Sequence, residues 1–344
     1  MFDVTTIGSV TRDAFFEVPS FPTIVDKKTS SGKAFLLPLG DKFDVENVFF
    51  TIGGNAANAS VTFARQGLET ACVGRRGGDM SGEGIVRRLI KEAVETKFLS
   101  TDGRLPTSYS VLLVKGGERT ILNYHGASNN FGLRDVPFSK LKSAWWYVSL
   151  AGDSSKMYPA LMAHAIKNNI AVAFNPSGYH LMRHRADILR SLKNLSLLAL
   201  NEEEAALLVG IPFSRSHDVY TKLARLMPHG IVVITNGSKG VAVSDGKRLC
   251  HAGIFKEKKL VDRTGAGDAF GSAFVAALIQ CGIGKKNIGS VTQKQIGEAI
   301  RVASANATAV VERYGATEGI LSKRELANPR WGNLPIKVVP LRKS

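Results

Sequence analysis

Short apolar runs with strand character recur at Phe2–Ile7, Trp145–Val148, Ile170–Phe174, Leu195–Leu200 and Ile231–Ile234. Each is followed by a stretch compatible with a helix, among them Met157–Asn168, Glu202–Val209 and Val219–Met227. Nearly all-apolar strands alternating with amphipathic helices require a sheet buried on both faces. The pattern therefore predicts an α/β fold, a doubly wound and mostly parallel sheet with helices on both sides. Two regions break the rhythm. Between Asp13 and Phe50 lie the alternating segments "DAFFEV" and "KAFLLPL", with no helix between them. Further on, Thr107–Val114 and Arg119–Tyr124 flank Lys115-Gly116-Gly117-Glu118 in the manner of a hairpin. These insertions, at about 13–50 and 107–124, predict a small separate sheet, with residues such as Phe15, Phe35 or Leu37 on its water-facing side. One domain over 1–320 is expected, with the proline- and base-containing segment 321–344 as a peripheral tail.

Composition narrows the class. With 344 residues, 44% hydrophobic and 22% charged, the chain reads as soluble and globular. Three scattered cysteines, Cys72, Cys250 and Cys281, make neither a disulfide framework nor a zinc pattern and fit a reducing, cytoplasmic setting. The N-terminus lacks a signal-peptide pattern, and no apolar run approaches the ~18 residues of a membrane span. The net charge of +16 reads as a solvated basic surface or as attraction for polyanions. Basic residues are dispersed and no nucleic-acid motif accompanies them, so nucleic acid is not an expected partner.

Chemistry gathers at Thr264-Gly265-Ala266-Gly267-Asp268, ahead of the helical stretch "AFGSAFVAALIQC". A helix start presents unpaired N–H groups and a positive dipole end. Gly265 and Gly267 let that backbone approach a phosphate, and Asp268 is placed to take a proton from a substrate hydroxyl. The same residues also read as a glycine turn with Asp268 as N-cap. Gly271 falls one residue late for a dinucleotide fingerprint, and no Walker lysine pattern occurs. In "TIGGNAANAS", Gly53 and Gly54 permit close approach while Asn55 and Asn58 suit sugar hydroxyls; an Asn-capped helix is the plainer reading. In "LNEEEA", Asn201 and Glu204 suit phosphates and hydrated Mg²⁺, or form a capping box. "TNGSKG" makes a hairpin turn or a phosphate cradle.

In this order the segments resemble the ribokinase-like (PfkB-type) family of carbohydrate and nucleoside kinases over roughly Phe2 to Glu318, most specifically at "GGNAAN" and "DRTGAGDAF". The resemblance implies a doubly wound α/β domain with a β-sheet lid, and an ATP-dependent kinase acting on a primary hydroxyl. It implies Asp268 as general base and Gly265, Ala266 and Gly267 as anion hole. Asp13, Gly54 and Asn58 match sugar-binding positions, beside Gly53 and Asn55. Asn201, Glu204, Thr235, Gly237, Ser238 and Gly240 match nucleotide and magnesium positions. Asp262 and Thr264 match a monovalent-cation loop, so K⁺ joins ATP and Mg²⁺ as an expected cofactor, and relatives' lids imply a homodimer. Asn55-Ala56 stands where ribose kinases carry Lys-Gly, and "SLAGD" lacks their sugar-contacting glutamate, which speaks against ribose itself. A nucleoside kinase of the same family is the alternative. A non-catalytic nucleotide- or nucleic-acid-binding protein is a second, disfavoured by the intact glycine turn and Asp268.

Overall fold

The apolar runs pair as their burial requires. In the computed structural model, which describes residues 1–29, 32–116 and 118–341, they lie in one ten-stranded sheet. Its order is Ile336–Pro340, Arg248–Ala252, Val241–Ser244, Ile231–Thr235, Leu197–Asn201, Ala171–Phe174, Ser143–Ser149, Phe2–Gly8, Thr70–Gly77 and Leu99–Asp102. From Ile231–Thr235 to Leu99–Asp102 all neighbours run parallel; the three strands at the other edge join antiparallel. Period-two alternation divides the core. Val233, Val241 and Val243 face the helices Ala266–Gln280 and Gln293–Val311, whereas Val232, Ile234 and Ala242 face Glu202–Val209 and Ser216–Leu226. No helix among the described residues is long and apolar enough to cross a membrane.

The separate sheet is present, with one strand exchanged. It is built from Asn47–Gly53, Thr11–Glu17, Tyr109–Lys115 and Glu118–Tyr124, in that order. "KAFLLPL" is not part of it: Lys33–Phe35 pairs only with Thr23–Val25 in a two-stranded ribbon. The residues Asn47–Gly53 run for seven positions without a proline, whereas the other candidate meets Pro38 shortly after three paired residues. The hairpin expected at Lys115–Glu118 forms, and its Gly117 lies outside the described residues.

Register gives the lid two faces. One carries the polar row Thr51, Asp13, Ser110, Asn123 and, beside it, the apolar row Phe49, Phe15, Leu112, Ile121. This face turns to the large domain, where Tyr314 stacks on Phe49 with centroids 4.9 Å apart and packs on Phe15 at 6.1 Å. Phe15, expected at the outer surface, is thus fully buried. The pleat puts it on the same side as Asp13, facing the large domain. On the outer face Phe21, Phe43 and Val45, from the excursion between the first two lid strands, cover Phe16, Val111 and Leu113. Val48, Phe50, Leu122 and Tyr124 remain exposed there.

The segment after Ile320, set apart above as a peripheral tail, belongs to the large domain. Ile336–Pro340 is the sheet's edge strand, and Trp331 is buried edge-on against Phe255 at 5.3 Å. Arg301 Nη1 donates to the Trp331 carbonyl at 2.7 Å, anchoring the segment to the long C-terminal helix. Trp331→Ala is therefore expected to lower unfolding free energy by ~3–5 kcal/mol, as for other large buried aromatics. Urea titration measures it; an unchanged midpoint would mean that the segment is not part of the cooperative core.

Candidate active site

Part of the predicted set, including Asn55, Asn201, Glu204, Thr235 and Asp268, gathers at the C-terminal ends of the parallel strands, where open α/β sheets bind ligands. Ser149, Asn201 and Thr235 each end a strand there. Two cavities meet at this edge. One, of about 320 Å³, is lined by Asn55, Asn201, Glu204, Gly265 and Asp268. The other, of about 430 Å³, is lined by Gly237, Ser238, Gly240 and Ala266. Thr235, Arg263, Gly267 and Phe270 border both. A larger hollow of about 620 Å³ lies behind the Asn236–Lys239 turn and holds none of the predicted site residues; size alone does not identify the site.

The helix Ala266–Gln280 opens the junction. Gly265 caps it at φ 77°, a left-handed conformation, and a Cβ there would lie 2.3 Å from that of Ala316. At Gly267 a Cβ would meet nothing within 4 Å. That glycine therefore keeps the space before the helix start open, as an anion over the first amides would need.

Asp268 is no N-cap. It lies in the first turn, and its Oδ2 accepts from Asn58 Nδ2 at 2.9 Å. Burial raises its pKa to about 6; the Asn58 bond opposes the rise and the Asp13 charge adds to it. Glu204 is raised as well, first by burial and partly by Asp268, against a hydrogen bond from the Asn201 amide. The Asn201–Glu204 capping box is formed, with bonds of 2.8 and 2.9 Å, yet both side chains still border the cavity. Capping and ligand exposure coexist.

Asp13, Gly53, Gly54 and Asn58 do not line either cavity; they form the layer behind it. Asp13 accepts from Thr11 Oγ1 at 3.0 Å, and burial raises its pKa. A Cβ on Gly53 would fall 2.0 Å from Asp13 Oδ2, and Gly54, at φ 89°, lies against the Ser9 carbonyl. Asn55 Nδ2 donates to Ser149 Oγ at 2.8 Å. Asp262 and Thr264 also lie outside the cavities: Asp262 Oδ1 accepts from the Thr264 amide and hydroxyl, at 3.0 and 2.8 Å. Asp262 Oδ2 is buried with no hydrogen-bond partner. Among the described residues no group of three or more His, Cys, Asp or Glu side chains is disposed to hold a metal.

Sequence reasoning missed Arg119, Arg263 and Asn175, all on the smaller cavity. Arg119 comes from the lid and approaches Asp262 at 3.9 Å. Its position inside "GERTILNYHGA" was the available signal; nothing local marks Asn175, which only topology brings near Asp268.

With this geometry in view, comparison with known proteins is direct. Residues 6–324 match the pfkB family carbohydrate kinase domain, and the chain belongs to that family. It is a phosphotransferase with an alcohol group as acceptor, similar to the ribokinase of Haemophilus influenzae at 27% identity over 328 residues, 94% of this chain and 96% of that one. Its fold is shared with Arabidopsis thaliana ribokinase complexed with ribose and ATP, at TM-score 0.73 and 21% identity, covering 94% and 97% of the two chains. It is shared equally with the Methanocaldococcus jannaschii nucleoside kinase, at TM-score 0.72 and 17% identity, covering 96% and 98%.

The buried carboxylate has a cost that can be measured. Asp268 has its pKa raised from 3.8 to about 6, so the folded state gains from the neutral acid below about pH 4. That gain disappears as pH rises through about 6. Asp268→Asn keeps the shape without the charge, and is expected to be more stable than the natural protein at pH 8 by up to about 3 kcal/mol. Urea unfolding at pH 8 and pH 4 checks it, the difference closing at the lower pH.

Proposed function

We propose that the protein is an ATP-dependent kinase that phosphorylates a primary hydroxyl of a sugar or sugar-like substrate, with Asp268 as general base. The observation that carries this reading is the raised Asp268 carboxyl, half-buried at the cavity wall on the first turn of a helix whose opening Gly267 leaves free of a side chain. Asp268 takes the hydroxyl proton as that oxygen bonds to the γ-phosphorus; the bond to the β-phosphate oxygen breaks and ADP leaves with its electrons. Amides of Gly265, Ala266 and Gly267 receive the charge on the transferring group, and Arg119 and Arg263 face the same space. The acceptor lies under the lid's polar row against Asn55, with Asp13, Gly53, Gly54 and Asn58 in the layer behind.

The nucleotide occupies the cavity bordered by Thr235, Gly237, Ser238 and Gly240, its phosphates directed to the junction. Mg²⁺ would supply charge neutralisation on those phosphates, and Asn201 and Glu204 would hold its hydration shell; a nearby cation favours the ionised form of a carboxylate whose pKa burial raises. K⁺ fits beside Asp262 and Thr264, because Asp262 Oδ2 is a buried oxygen still lacking a partner. Unpaired Cys72, Cys250 and Cys281 suit a cytoplasmic setting.

One observation favours a nucleoside acceptor as the second reading. Phe49 and Ile121, on the cleft-facing side of the lid beside the polar row, are 40% and 43% exposed, a surface on which a base can rest. ADP release across sugars, sugar phosphates and nucleosides, in K⁺ and in Na⁺, separates the two. The sugar reading expects turnover on a sugar, faster in K⁺, with kcat/KM falling as pH drops through about 6, since the base must be ionised. Asp268→Asn is expected to lower kcat at least ~10²-fold with nucleotide affinity kept. Near-natural turnover in this variant would remove Asp268 as base.

For assembly, the reading is a homodimer through the lid's outer face, where Val48, Phe50, Leu122 and Tyr124 are exposed. Light scattering over a concentration series is expected to give twice the chain mass, and Phe50→Asp the monomer. A natural protein that stays monomeric throughout contradicts the dimer.

A further inference from the structure

Behind the helix that carries Asp268 lies a polar group that the proposed reaction has not yet used. Tyr147 is wholly buried on the central strand Ser143–Ser149, its ring edge-on to Phe63 at 5.6 Å. Its hydroxyl lies near the Asn175 side chain but meets no partner in full hydrogen-bond geometry. Buried hydroxyls are almost always paired, so an unpaired one needs an explanation. This one reaches the helix Ala266–Gln280 at Gly271: a Cβ there would lie 2.7 Å from Tyr147 Oη. Gly271 thus leaves a gap in the helix surface, and the phenol oxygen fills it. Gly271 follows Asp268 by three residues, one turn on, so both lie on the same side of the helix. Asp268, Gly271 and Asn175 line one cavity.

Of the groups around the hydroxyl, the Asn175 side chain is the near hydrogen-bonding neighbour and the Asp268 carboxylate is the strong acceptor. Burial raises the Tyr147 pKa, the Asp268 charge raises it further, and the Asn175 side chain opposes them. The phenol therefore stays protonated and can only donate or accept a hydrogen bond. On the far side, Asp268 holds Asn58 through Oδ2. Asn58 Oδ1 is also buried without a partner. Hydrogen bonds of this kind are often incomplete without substrate and close in the working complex.

We infer that Tyr147 is a positioning residue for phosphoryl transfer, its hydroxyl passing through the gap at Gly271 to support the Asp268 carboxylate from below. The inference rests on Asp268 being the base. No proton changes owner in this contact: the phenol donates a hydrogen bond and the carboxylate accepts it. The donor favours the ionised carboxylate, so its loss should raise the pH at which Asp268 becomes a base. Other charges facing that carboxylate are Asp13, Glu204, Arg119 and Arg263; all are unchanged when one oxygen is removed from Tyr147.

Tyr147→Phe is assayed by ADP release on the best acceptor from the substrate panel, across pH 5 to 9. The acid limb of kcat/KM is expected to move up by about half a pH unit or more, with kcat lowered at neutral pH and KM for ATP kept. Gly271→Ala displaces the hydroxyl without removing it and should move the same limb in the same direction. Tyr147→Phe/Gly271→Ala removes the 2.7 Å conflict and should recover thermal stability lost in Gly271→Ala alone. A purely structural tyrosine would change stability and leave the acid limb in place in both single variants, which overturns the inference. The Asp268→Asn assay keeps the two readings apart. If that variant is active, the base assignment fails; if it is inactive while the limbs stay put, only the role of Tyr147 fails.

Discussion

The structure turns on burying one carboxylate where a helix begins. Asp268 is half-buried at the cavity wall, bonded by a single asparagine and pushed towards neutrality by desolvation. A buried charge of this kind is costly unless something is gained from it. Much of the surrounding backbone exists to permit it. Gly265 adopts a left-handed conformation so that the chain can enter the helix against Ala316, and Gly267 leaves the approach to the first amides open. The two cavities share that glycine. A phosphate moved from one to the other would pass directly in front of the helix start.

The lid extends the same arrangement. Its inward polar row begins with Thr51 and Asp13, and Thr51 meets Thr317 and Glu318 of the large domain. Its inward aromatic row stacks on Tyr314, whose hydroxyl donates to Glu17. These contacts fasten one end of the lid while Arg119, from the far hairpin, reaches towards Asp262. The lid thus rests on packed aromatics and places a cation towards a region crowded with carboxylates. Charge complementarity of that sort favours closure once an anionic phosphate is also present.

The large domain was legible because its strands are buried on both sides and so appear as apolar runs. The strands Thr70–Gly77 and Leu99–Asp102 escaped notice because polar or charged residues interrupt them. The edge strand Ile336–Pro340 was hidden for a related reason: one face is open, so Lys337 breaks the run. In the lid, alternation identified strands but not their phase, and Phe15 went to the wrong side on paper. Short glycine motifs drew attention to candidates that line the cavities, Gly237, Gly240, Gly265 and Gly267 among them, since backbone approach needs glycine at fixed positions in the chain. Tyr147, Asn175 and Arg119 carry no such mark. They come from separate strands or loops, and only the sheet order brings them to one place.

Desolvation at the helix start is expected to hold Asp268 as a weak acid near neutrality before any ligand arrives. The most direct measurement is a carbon-13 NMR titration of aspartate side-chain carboxyls in the ligand-free protein, with the Asp268 signal assigned by its loss in Asp268→Asn. The account predicts a midpoint near pH 6, about two units above an ordinary aspartate. A midpoint near 4 would mean that the carboxylate is neither desolvated nor held in reserve as a base, and would contradict it.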